Sequence, residues 1–64
     1  MKVFRATSGE WQSGQTHYLI AAESSEQAYQ LAQEESMSYV DYDTVYEVDF
    51  VSTTLTRPAI IEEL

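Results

Sequence analysis

Cysteine is absent from the chain, so neither a disulfide framework nor a thiolate metal site is available, and a reducing cytoplasmic setting is the expected one. Proline occurs once, at Pro58, and glycine twice, at Gly9 and Gly14, so the obvious breaks in regular structure are few. No apolar run approaches the roughly 18 residues of a membrane span, and the opening MKVFRATSGE lacks the apolar stretch of a signal peptide. Basic residues are the scarcest class of all: three Lys and Arg stand against eleven Asp and Glu, a net charge of −8. That balance argues against nucleic acid or an anionic membrane as a direct ligand, and it steers basic partners inward.

The catalytic inventory is equally thin. A single histidine, His17, has no nucleophile motif around it and reads as a partly exposed strand residue. The phosphate-binding patterns GxxxxGK and GxGxxG are both missing. Asp41 and Asp43 form a D-x-D pair, but Val45 and Tyr46 stand where a calcium loop needs its next ligand and glycine. The expectation is a protein that is not an enzyme and has no cofactor and no metal.

What remains is a chain that folds. Hydrophobic residues make up 44% of its 64 positions, too many for a disordered acidic tail and enough for one small domain spanning residues 1–64. Residues 2–7 (KVFRAT) alternate as a strand, with Phe4 and Ala6 on one face and Val3, Arg5 and Thr7 on the other. A hairpin loop bracketed by Gly9 and Gly14 follows, with Trp11 near its tip. Residues 16–22 (THYLIAA) make the return strand, placing Tyr18, Ile20 and Ala22 together. The run ESSEQAYQLAQEES is helical. Ser24 caps it, Gln27 completes a capping box, and Ala28, Leu31 and Ala32 form a narrow apolar stripe that ends near Ser36 or Met37.

Residues 44–52 (TVYEVDFVS) alternate as a third strand, with Tyr46, Val48 and Phe50 on the core face. The tail from about residue 53 contains Pro58, which rules out a central strand there. The fold expected is α+β: a two-layer β-β-α-β unit whose three-stranded antiparallel sheet, in order 2-1-3, carries one helix on one face. On the other face Val3, Leu19, Val45 and Val51 would surround Arg5. The tail, through Leu55, Ile60 and Ile61, or a second copy in a homodimer is expected to cover that strip, with Arg5 paired to Glu47 or Asp49.

The stretch YVDYDTVYEVDF, residues 39–50, places Asp41, Asp43, Glu47 and Asp49 among Tyr39, Tyr42 and Tyr46 without one Lys or Arg. Glu34 and Glu35 lie just upstream, where carboxylates oppose the helix dipole. Two explanations stand side by side. Acids on an edge strand block sheet-to-sheet association, and acids on a helix are simply solvated. Alternatively, carboxylates two residues apart on an extended strand, about 6.7 Å from one another, imitate the spacing of phosphates. Tyrosines between them would supply contact area at low entropic cost. On this second reading Glu34, Glu35, Tyr39, Asp41, Tyr42, Asp43, Glu47 and Asp49 form a partner-binding surface for a basic, nucleic-acid-binding protein.

The turn AAESSEQAYQLA, an A-x-S-x-E-x-A pattern after a strand and before a helix, is similar to one seen in small phage and plasmid proteins. The whole chain, short, acidic and free of cysteine, resembles phage-encoded inhibitors of bacterial defence, including anti-CRISPR proteins that imitate DNA. The resemblance implies a stoichiometric inhibitor, acting in the cytoplasm of an infected bacterium, that fills the nucleic-acid-binding cleft of an effector complex. It assigns no individual residue. A rival expectation is a small protein–protein interaction module or homodimeric accessory protein without mimicry, anchored by Trp11, Tyr39 and Tyr42.

Overall fold

The computed structural model describes residues 1–9, 14–36, 39–49 and 51–64. Strand β1 (Lys2–Ser8) and strand β2 (Thr16–Ala22) pair antiparallel in register from Lys2 opposite Ala22 to Ser8 opposite Thr16. Helix α1 (Ser25–Ser36) follows at once. Beyond it come a single 3-10 turn (Tyr42–Thr44), a two-residue strand β3 (Tyr46–Glu47) and a final strand β4 (Ala59–Glu63). The sheet is antiparallel throughout, in order β3-β1-β2-β4, and the expected 2-1-3 arrangement survives as its first three members. The expectation of three strands is corrected to four.

The hairpin forms where its sequence demands. Gly9 and Gly14, which bracket the loop, both have positive φ, 86° and 99°, a region that costs a side-chain-bearing residue energy. At Gly9 a Cβ would also come within 2.7 Å of the Gly14 carbonyl oxygen. Trp11, expected at the loop tip, lies outside the described residues.

The helix starts as its cap residues require. Ser24 Oγ accepts a hydrogen bond from the Gln27 amide at 3.2 Å, and the Gln27 side-chain oxygen accepts one from the Glu23 amide at 2.7 Å. The return bond thus reaches one residue further back than in the usual box. Ala28 and Ala32 are fully buried against the sheet, with Tyr29 and Leu31 half-buried at their flanks. Alanines let the helix axis approach the sheet closely, and the space is filled from below by Phe4, Ala6, Tyr18, Ile20 and Ala22.

Two chain segments complete this core in ways the alternation did not indicate. Val40, in the connection after the helix, is fully buried and bridges to Ser8 in the sheet. Ile60 of β4 lies opposite Ile20 and packs against the same cluster. A register shift between Leu19 and Ile20 lets β4 keep Ile60 inward while Glu62 stands opposite Leu19. Pro58 immediately precedes this strand, and β4 is an edge strand, which is where proline does least harm.

The third strand differs most from expectation. Only Tyr46 and Glu47 pair with β1, Tyr46 opposite Arg5 and Glu47 opposite Phe4. Tyr46, expected in the core, is 53% exposed, and Val45 is the residue that packs toward the helix-side cluster. Phe50, also expected in the core, lies outside the described residues. The cause is local hydrogen bonding. Asp41 accepts the Asp43 amide at 3.0 Å on its carboxylate, while its carbonyl takes the Thr44 amide and hydroxyl at 2.9 and 2.7 Å. These bonds wind residues 42–44 into a turn and shift the alternation downstream. They also consume the single Thr44 hydroxyl proton, so its 3.5 Å approach to the Thr7 carbonyl is a contact and not a second bond.

Candidate functional site: an acidic surface beside the helix

Residues 39–44 leave the C-terminal end of α1 and run back along it. The Val40 amide donates to Gln33 Oε1 at 3.2 Å, and the Tyr42 hydroxyl lies 2.9 Å from Ser25 Oγ at the other end of the helix. The Tyr42 ring meets Tyr29 edge-on with centroids 5.5 Å apart. Its hydroxyl also lies 3.5 Å from Glu26 Oε1. Tyr42 is therefore a clamp holding this segment to the helix, and only part of its ring remains for a partner. Tyr39, at 66% exposure, has no such commitment among the described residues, where only its carbonyl is used, by the Gly9 amide at 2.8 Å.

The four carboxylates of this stretch do not form a ladder at strand spacing. Asp41 is the cap of the 3-10 turn, Asp43 sits within that turn, Glu47 is on β3, and Asp49 lies in the turn beyond it. The 6.7 Å repeat expected of Glu47 with Asp49, and of Asp41 with Asp43, is thus replaced by an irregular path. Glu47 reaches Lys2 Nζ at 3.8 Å across the edge of the sheet, with both side chains substantially exposed. Arg5 was expected to pair with Glu47 or Asp49; instead it stands opposite Tyr46 and makes no ion pair among the described residues.

The fold does gather charge. All ten acidic residues among the described positions (Glu23, Glu26, Glu34, Glu35, Asp41, Asp43, Glu47, Asp49, Glu62 and Glu63) are exposed, and only Glu47 meets a cation. Glu26 at the start of α1 meets the hydroxyl of Tyr42, which lies between Asp41 and Asp43 on the segment that runs back along the helix, while Glu34 and Glu35 are exposed in the last turn of α1. Sequence alone did not indicate that Glu26 meets this segment, because the antiparallel return of residues 39–44 is a tertiary feature.

Among the described residues, no group of three or more His, Asp or Glu side chains is placed to hold a metal ion. His17 Nδ1 lies 2.9 Å from Thr7 Oγ1, its partner across the hairpin, and is held as a strand residue. No helix among the described residues is long and apolar enough to cross a membrane. The chain matches no protein-family model, no curated protein and no solved structure.

Proposed function

We propose that this chain is a non-enzymatic binding protein that docks its acidic helix-and-connection side into the positively charged nucleic-acid groove of another protein and so inhibits it. The observation that carries the reading is the set of exposed carboxylates without cations: net −8, with one surface ion pair among the described residues. A surface selected for stability alone intersperses both signs, because like charge at this density opposes the compact state. Glu34, Glu35, Asp41, Asp43, Glu47 and Asp49 supply the charge, and Tyr39 supplies an uncommitted aromatic contact. The irregular spacing favours recognition by overall field and shape, with individual carboxylates meeting whichever Lys or Arg the groove offers. The resemblance to phage-encoded inhibitors narrows the groove to that of a bacterial defence complex, a CRISPR effector first.

Capture from a bacterial lysate, with the wild-type chain and an Asp41→Asn, Asp43→Asn, Glu47→Gln, Asp49→Asn variant as parallel baits, tests this. The expected result is a nucleic-acid-binding protein retained by the first and lost by the second, in a salt-sensitive manner. Retention of the same partner by both baits, undiminished by salt, contradicts it. That outcome would instead favour an interaction module without mimicry, for which the exposure of Tyr39 and Tyr46 is the supporting observation. In that case Tyr39→Ala and Tyr46→Ala, and not the charge changes, would abolish capture.

A further inference from the structure

The face of the sheet opposite α1 holds a feature that the acidic surface does not explain. A cavity of about 220 Å³, open to solvent on one side, is lined by Arg5, Leu19, Tyr46, Val48, Val51 and Leu64. Register places three of these in one row across neighbouring strands: Tyr46 opposite Arg5, and Arg5 opposite Leu19. Val48 lies beside β1, its amide donating to the Val3 carbonyl at 2.8 Å, and the Leu64 amide donates to the His17 carbonyl at 2.7 Å. The lining is therefore aliphatic apart from one arginine and one tyrosine.

Arg5 is the informative member. It is half-buried, in a chain with eleven carboxylates, yet among the described residues its side chain makes neither an ion pair nor a hydrogen bond. A guanidinium is a five-donor fork matched to a carboxylate, and one that has no acceptor among the described residues and belongs to a residue lining an apolar cavity is free to take an acceptor from a ligand. We infer that this cavity binds a compact apolar carboxylate, its carboxyl group on Arg5 and its hydrocarbon body against Leu19, Val48, Val51 and Leu64. The size agrees: an enclosed apolar cavity of about 150 Å³ accepts benzene, so this one has space for a single ring or branched chain plus a carboxyl group. Complementarity of charge excludes apolar amines, and the aliphatic walls disfavour inorganic anions. The inference is independent of the proposed docking surface, which lies on the helix side, and either stands if the other fails.

Titration of the isotope-labelled full chain with phenylacetate, followed by amide chemical shifts, tests it, with phenylacetamide and phenethylamine as neutral and cationic probes. Saturable shifts centred on Arg5, Leu19, Tyr46 and Leu64 are expected for the acid, with at least about 10-fold weaker binding of the amide and none of the amine, since a charge-assisted hydrogen bond is lost. Arg5→Gln should reduce acid binding to the level of the amide while leaving the spectrum folded. Equal response to acid and amide in the wild-type chain overturns the inference even if the variant does not fold. So does a concentration-dependent shift of the same amides without any ligand, because a second copy of the chain would then be the occupant.

Discussion

The two faces of the sheet are closed by different means. On the helix side, Phe4, Ala6, Tyr18, Ile20 and Ala22 meet Ala28 and Ala32, and every one of them is at most 4% exposed. On the opposite side, Val3 and Ala21 are buried as completely, but Arg5 and Leu19 in the neighbouring row are only half-buried and border an open cavity. The first face is sealed by a regular element whose small residues permit close approach. The second is bordered by Val48 and Val51 from the chain between two edge strands and by Leu64 after the last one, and among the described residues it leaves a cavity beside Arg5. A helix can bury a continuous patch because its side chains recur on one face; a connection lacking that period covers only what it happens to cross.

Substitutions within the rows of β2 break this comparison most severely. Ile20→Ala, under the helix and opposite Ile60, should cost about 2–5 kcal/mol. A chain this short has on the order of 3–10 kcal/mol in all, so the variant should be substantially unfolded or lose most of its urea midpoint. Leu19→Ala, one residue away on the open face, should cost about 1 kcal/mol because its side chain is already partly solvated. Equal losses in denaturant unfolding would show that the second face is as closed as the first.

Next in size is the hairpin that joins the two central strands. Gly9→Ala should cost about 1–3 kcal/mol from its left-handed φ, and more than Gly14→Ala, because only at Gly9 does the new Cβ meet backbone within 4 Å. Thermal unfolding of the pair ranks them; the reverse order would contradict the described loop ends.

Smaller still are the polar devices around the acidic side. Asp41→Ala should cost about 0.5–2 kcal/mol through loss of the turn cap, whereas Asp41→Asn should be nearly neutral, since the amide oxygen still accepts the Asp43 N–H. The pair thereby separates the structural role of Asp41 from its charge. Glu47→Gln should change stability by less than about 0.5 kcal/mol, as both members of its pair with Lys2 are well solvated. Added salt should raise the melting temperature of the wild-type chain and change that of the four-acid variant less, because screening relieves repulsion that the variant no longer has.

How far the sequence revealed this arrangement depended on how local each cause is. Strand 2–7, its partner 16–22, the loop glycines and the Ser24 cap are decided by residues within a few positions of one another, and all are visible as pattern. Residues 39–47 are decided by local side-chain hydrogen bonds that alternation does not register, together with contacts across the fold: Tyr42 leans on Tyr29, Val40 fills space beside Ser8, and Val45 turns inward while Tyr46 turns out. The alternation in TVYEVDFVS is real, but the Asp41 and Thr44 hydrogen bonds override it before it becomes a strand. Val40 could have been suspected as the one β-branched aliphatic residue between Ala32 and Val45. The β4 pairing could not, since Pro58 argued only against a central strand and said nothing of an edge. The acidic surface was legible as composition; its shape, with Glu26 meeting Tyr42 between Asp41 and Asp43, was not.

Competition between this chain and target DNA for a purified CRISPR effector tests the central claim most directly. Wild-type protein is predicted to displace labelled DNA from the effector stoichiometrically, less effectively as salt rises, while the folded four-acid variant leaves the DNA bound. An effector that captures the protein and yet holds DNA with unchanged affinity, or a variant that displaces DNA as well as the wild type does, would contradict the account.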